Sequence, residues 1–227
     1  MAKMLQSLAI IVTDACETKT AQQDRCQSAL GLLAGTSMLI HLLAQLAQAG
    51  VQKSVILALH AVGDLGLRLR SVPNGMDLCL RALPTPNAGR LIDAVTVDEI
   101  SEVCGEVLIF TENLNIDVSL IKRLIQASGR NLIVVGKSHS QRSLRLLANN
   151  ALRVTAILPR SSVSSRDVTA DLIPIGVYKF SSELLRSIAR SRRRRRNDDL
   201  EFFEAALGRQ AYEMHVMHGG TIARREG

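Results

Sequence analysis

Hydrophobic and polar positions alternate along the chain in a strand–helix rhythm. Leu8-Ala9-Ile10-Ile11-Val12 is a continuous apolar run of strand length. Between Ser37 and Gly50, apolar residues recur at Met38, Leu39, Leu42, Leu43, Leu46 and Ala47. That is the i, i+3, i+4 stripe of a helix lying on a sheet, and Gly50 is a natural stop. Ser54 to Leu59 (SVILAL) is a second apolar run, as expected of a strand covered on both faces. Met76 to Leu83 reads as a strand inside a stretch rich in Gly, Pro and Asn. Leu91 to Cys104 reads as a helix ending near Gly105, and Glu106 to Phe110 as a third clear strand. Asp117 or Ser119 caps a helix over Val118 to Ser128. Asn131 to Val135, Arg153 to Leu158 and Ile173 to Phe180 supply three more strands. A helix opens at Ser181-Ser182-Glu183, and a last one spans Asp198 to Leu207, capped by Asn197 or Asp198.

This repetition predicts an α/β fold with a mostly parallel, doubly wound sheet and helices on both faces, a three-layer Rossmann-like arrangement. At 227 residues the chain suits a single domain over 1–227 with a substantial core, and no internal repeat or long linker divides it. Aromatic content is 3% with no Trp, so the core is expected to rest on Leu, Ile, Val and Ala. No apolar run reaches the ~18 residues a membrane span requires, and no signal peptide is read. The expected location is therefore cytoplasmic. The ending after Gly219-Gly220 suits a natural terminus or a piece of a longer fusion equally.

Cysteines 16, 26, 79 and 104 form no CxxC pair, which argues against zinc or redox motifs and predicts free thiols. His215 and His218 would share a helical face or flank a turn, but spacing supplies no third metal ligand. The formal net charge of +7 comes largely from one run, Arg192 to Arg196. Such a block is read as a solvated loop, or as a contact for an acidic protein or an anionic membrane surface. No aromatic residues interleave it and no reading motif accompanies it, so the run gives little support for nucleic-acid binding.

The segment after the first strand carries the candidate chemistry. Thr13-Asp14-Ala15-Cys16-Glu17-Thr18-Lys19-Thr20 contains no glycine. A dinucleotide-binding domain would need Gly-x-Gly-x-x-Gly there and an acidic residue ending the second strand, where this chain has Leu59-His60.

Four stretches in order resemble the nucleotidyltransferase family, the MobA-like and sugar- or alcohol-phosphate nucleotidyltransferases of the nucleotide-diphospho-sugar transferase fold. They are Leu8 to Val12, Leu30 to Val51, Val107 to Ile125 and Ile173 to Leu185. Within the group, the likeness is to cytidylyltransferases that activate alcohol phosphates such as inositol phosphate, which are often fused to membrane-bound CDP-alcohol phosphotransferases. The resemblance implies attack of an acceptor phosphate on the α-phosphorus of a nucleoside triphosphate, with pyrophosphate leaving and Mg²⁺ as cofactor.

Carried onto this chain, the resemblance puts Thr13, Asp14 and Thr18 around the nucleotide, with Gly89 (and Ala94) toward the base. Lys19 takes the place of the loop arginine, and Arg25 lies near the lysine position that Ser28-Ala29-Leu30 leaves empty. Glu112, after the strand where relatives have Gly-Asp, becomes the metal ligand, with Asp117 as a second acidic residue nearby. Gly176 in Ile175-Gly176-Val177-Tyr178 becomes an acceptor-binding position, with a bulge glycine as its structural reading. Where relatives have phosphate-binding glycines, this chain has Asp14 and Glu17, each repelling a triphosphate by on the order of 1 kcal/mol. Two functions follow. One is an active transferase with an atypical loop. The other is a non-catalytic member that kept the fold and serves as a regulatory or assembly partner, with a membrane lipid-synthesis enzyme as one such partner.

Overall fold

The computed structural model describes residues 5–13, 32–33, 36–58, 69, 75–83, 90–111, 116–127, 131–136, 144–158, 172–191, 199–209 and 213–218. The elements in chain order are β1 (Leu5–Thr13), the short pair β2 (Leu32–Leu33) and β3 (Thr36–Ser37), α1 (Met38–Gln48), β4 (Lys53–Ala58), β5 (Asp77–Ala82) and α2 (Arg90–Ala94). A 3-10 turn at Asp98–Glu102 leads into β6 (Val103–Phe110), α3 (Val118–Gln126), β7 (Leu132–Gly136), β8 (Arg145–Ala148) and β9 (Val154–Leu158). The chain continues through β10 (Ile173–Ser181), α4 (Ser182–Ser191), α5 (Asp199–Leu207) and β11 (His215–His218).

Seven strands form one sheet in the order β5-β4-β1-β6-β10-β7-β11. β1 pairs in parallel with β4 and β6, and β4 with β5. β10 runs antiparallel to both β6 and β7, while β11 is parallel to β7. The sheet is thus parallel except for β10.

The alternation of side chains explains the layers. Leu8, Ile10 and Val12 of β1 face a cluster that includes Leu91 of α2, Leu184, Leu185 and Ile188 of α4, and Phe202 and Phe203 of α5. Ala9 and Ile11 face the opposite way, onto Leu39, Leu42, Leu43 and Leu46 of α1 and Leu120, Ile121 and Leu124 of α3. Both sides of β1 are therefore buried from Leu8 to Val12, which is why that stretch is continuously apolar rather than alternating. The expected three-layer fold is the observed one. Aromatic rings are few but concentrated. Tyr178, Phe180, Phe202 and Phe203 contact one another with centroid spacings from 5.2 to 6.0 Å.

α1 ends as its sequence predicts. Gly50 has φ +91°, its N–H donates to the Ala47 carbonyl, and the Val51 N–H donates to that of Leu46. This is a Schellman closure that needs a left-handed residue at the glycine position. The helix expected over Leu91 to Cys104 is instead three pieces: the five-residue α2, the 3-10 turn, and the first residues of β6. Val95-Thr96-Val97 interrupts it. β-branched side chains lose rotamer freedom in a helix, and the Thr96 N–H and hydroxyl both donate to the Asp93 carbonyl. Val97 is then extended, at φ −74° and ψ 120°.

Candidate functional site at the carboxyl edge of the sheet

From β1 the chain crosses to β4 and β5 on one side, then returns to place β6 on the other. The carboxyl ends of β1 and β6 therefore flank a topological switch point, the position where open α/β sheets leave a crevice for ligands. Thr13 ends β1 opposite Ala58 of β4 and is 2% exposed. Ile11 is level with Phe110 of β6, so Thr111, the next residue, reaches the same edge; it too is buried.

On the far side of β6, Val177 of β10 pairs with Phe110, and the Thr111 N–H donates to the Gly176 carbonyl at 2.9 Å. Gly176 has φ +80°, in the left-handed region that favours glycine. It lies within an irregularity of β10. Pro174 is opposite Val135 and Tyr178 opposite Ile133, so β10 carries extra length relative to β7 across this interval. The bulge-glycine reading of Gly176 therefore describes its backbone.

Of the residues singled out from sequence, Thr13 and Gly176 come to this edge together, with Thr111 between them. Asp14, Thr18, Lys19, Arg25, Gly89 and Glu112 lie outside the described residues, as do Asp198 and the run Arg192–Arg196. Ala94 has no exposed surface and packs in the core with Leu91 and Ile92.

Asp117 is the N-cap of α3. Its carboxylate accepts from the Ser119 N–H at 3.0 Å and from the Ser119 hydroxyl at 2.9 Å. These bonds, the backbone one first, hold its pKa below the usual carboxylate value, because they stabilise the charged form. Both oxygens accept from Ser119 at the start of α3. Among the described residues no three His, Cys, Asp or Glu side chains gather in a way that would hold a metal.

His215 and His218 lie on a strand rather than a helix or turn. Residues three apart on a strand point to opposite faces, so the two imidazoles do not form a pair. His215 instead lies 3.6 Å from the Glu213 carboxylate. Cys79 and Cys104 are thiols, not halves of disulfides. Asp199, expected near the start of the last helix, is the first residue of α5, and its carboxylate accepts from the Leu91 N–H at 2.7 Å, satisfying the N-terminus of α2.

Sequence reading missed Lys179. It sits in β10 at 1% exposure, and its ammonium lies 2.7 Å from the Glu106 carboxylate. It also donates to the carbonyls of Ile125 and Ala127 at 3.2 and 2.8 Å. The available signal was a single charge inside an otherwise apolar strand. α3 starts at the carboxyl edge and ends at the opposite one, so Lys179 closes the helix away from the switch point.

No protein-family model matches the chain. Over 214 residues it is 49% identical to an uncharacterized protein, y4rO, of Sinorhizobium fredii. That match takes in 94% of this chain and 35% of the relative, so the chain spans about a third of that protein's length. Among solved structures, the inositol-1-phosphate CTP transferase from T. maritima matches with a TM-score of 0.67 at 13% identity, covering 95% of this chain and 86% of the other. CMP:2-keto-3-deoxy-manno-octonic acid synthetase, solved with CTP, matches with a TM-score of 0.65 at 11% identity, covering 96% and 92%. The chain shares the Rossmann-like fold of these two proteins.

Proposed function

We propose that this chain is a nucleotidyltransferase-type protein of the cytoplasm. It takes a nucleoside triphosphate, CTP first, at the carboxyl edge of β1 and β6 and transfers the nucleotidyl group to a sugar or alcohol phosphate. The acceptor's phosphate oxygen bonds to the α-phosphorus, the bond from that phosphorus to the bridging oxygen breaks, and pyrophosphate leaves. The observation that carries this reading is the switch point itself. Buried Thr13 ends β1, buried Thr111 directly follows β6, and the Gly176 carbonyl accepts from the Thr111 N–H. The fold is shared with proteins whose names specify CTP chemistry.

In this proposal Thr13, Asp14, Thr18 and Gly89 surround the nucleotide, Lys19 and Arg25 meet its phosphates, and Gly176 faces the acceptor. Glu112 is the ligand for Mg²⁺, an ion whose charge would offset that of the phosphates.

A second reading rests on the sequence after β1, where Thr13 to Thr20 holds Asp14 and Glu17 and no glycine. It makes the chain a non-catalytic member of this fold that binds a protein partner or an anionic membrane surface through Arg192–Arg196. No described helix is long and apolar enough to cross a membrane.

Isothermal titration with CTP, GTP, UTP and ATP, with and without Mg²⁺, tests both. Micromolar, Mg²⁺-dependent binding of one nucleotide, followed by pyrophosphate release when an alcohol or sugar phosphate is added, is the expected result. No binding of any of the four at millimolar concentration overturns the transferase reading and leaves the second.

A further inference from the structure

We infer that Gly176 is a positioning residue: its left-handed backbone presents its carbonyl to the Thr111 N–H and thereby sets the point at which the chain leaves β6 at the nucleotide edge. This rests on the reading of that edge given above.

The inference starts from register. Between β10 and β6 the pairing is unbroken from Ser181 opposite Glu106 to Val177 opposite Phe110. Between β10 and β7 it is broken in the interval from Pro174 to Tyr178. The excess length of β10 is therefore taken up around Gly176, at φ +80°, where a side chain would be strained. Ile175 and Val177 on either side are buried in the cluster shared with α1 and α3, which fixes the bulge in place.

Its outcome is one hydrogen bond beyond the strand. Thr111 is buried, so its N–H requires a partner, and that partner is the Gly176 carbonyl at 2.9 Å. Thr111 immediately precedes Glu112 in sequence. A strand glycine serving packing alone would stabilise the sheet as a whole. A positioning glycine controls this one amide and what binds beside it.

Amide hydrogen exchange by NMR separates the two, using Gly176→Ala and Gly176→Asn, with the amides of Ile10 and Ile11 in β1 as the internal reference. Asn visits the left-handed region more readily than other side-chain-bearing residues, so it is the rescuing variant. In Gly176→Ala the Thr111 amide is expected to exchange about tenfold faster relative to the β1 amides, with CTP affinity falling by a similar factor; Gly176→Asn is expected to lie nearer wild type in both. Should Gly176→Ala fail to fold, Gly176→Asn against wild type carries the same comparison with a smaller shift.

Three results overturn the inference: Thr111 exchanging in step with β1, Asn behaving no better than Ala where both fold, or a loosened Thr111 amide with unchanged CTP affinity. If wild type binds no nucleotide, the transferase reading fails, and the exchange data alone then decide whether Gly176 positions the end of β6.

Discussion

The Lys179 ammonium and the Glu106 carboxylate meet at 2.7 Å beneath the last turn of α3, with the lysine 1% exposed and the glutamate about one-third exposed. The same ammonium takes the Ile125 and Ala127 carbonyls, so a helix end that would otherwise hold unsatisfied acceptors is closed by a strand residue 52 positions away in sequence.

Removing that donor leaves two carbonyls and a carboxylate short of a partner. Lys179→Met keeps most of the volume and is expected to lower the unfolding free energy by about 3 kcal/mol, the lower end for a broken buried pair because Glu106 retains contact with water. Glu106→Gln, which still offers an acceptor, is expected to cost about 1 kcal/mol. Urea unfolding of both variants checks the order, and a larger loss from the glutamate variant would contradict it. Nucleotide binding is expected to be unchanged in folded Lys179→Met, since the ammonium lies at the edge opposite the switch point.

A Cβ placed on Gly136 would stand 2.9 Å from Cγ2 of Ile175, closer than such contacts tolerate. Because Cγ2 branches directly from the Ile175 Cβ, it has little room to withdraw. Gly136→Ala is therefore expected to destabilise by about 1–3 kcal/mol through overpacking. Ile175→Leu moves the branch one carbon outward, so the cost of Gly136→Ala is expected to shrink in that background. A double-mutant cycle reads the coupling directly, and strict additivity would show that another contact limits the site.

The pH dependence of α3 follows from Asp117. Its folded pKa lies below its ordinary value because the Ser119 N–H and hydroxyl favour the carboxylate. A depressed carboxylate pKa contributes stability that is present above the unfolded value, about 3.9. That contribution is lost as pH falls through the lower folded value. Asp117→Ala is expected to be less stable than wild type at neutral pH, with the gap closing in acid. Asp117→Asn keeps a capping side chain but removes the titration, so its stability is expected to fall less steeply below about pH 4. Thermal melts across that range compare the three proteins; parallel acid limbs for wild type and Asp117→Asn would remove Asp117 from the acid response.

The sheet was legible in the sequence where burial dictates composition. β1, β4, β6 and β7 are apolar runs because helices cover both their faces, and α1 and α3 carry stripes with their own stop and start signals at Gly50 and Asp117. Legibility ended where tertiary pairing, not local pattern, makes the element. β8 and β11 are four residues each, too short to show a period, and they exist because β9 and β7 pair with them. The supposed helix before β6 failed at Val95-Thr96-Val97, where three β-branched residues outweigh an apolar spacing. At the candidate site, Thr13 was legible as the position after the first apolar run and Gly176 as a glycine inside a strand. For Thr111 the sequence showed only its place after the third strand; its backbone bond to a residue 65 positions on was not legible.

The segment after β1 offers the most direct test of the transferase reading from sequence. Under that proposal Asp14 and Glu17 occupy sequence positions at which a phosphate-binding loop would offer backbone N–H groups and positive charge, and Lys19 follows two residues after Glu17. Each carboxylate beside a triphosphate is repulsive by on the order of 1 kcal/mol, about fivefold in affinity. Asp14→Asn with Glu17→Gln removes both charges without changing side-chain size. CTP affinity in the double variant is expected to rise by more than tenfold at low salt and by less at high salt, since screening weakens the repulsion that the substitutions relieve. Lys19→Met is expected to change affinity in the opposite direction, with the same salt dependence. Titration calorimetry at two ionic strengths measures all three proteins. Unchanged affinity in the double variant would mean that the triphosphate does not lie against this loop, and the nucleotide site would then have to be sought away from the end of β1.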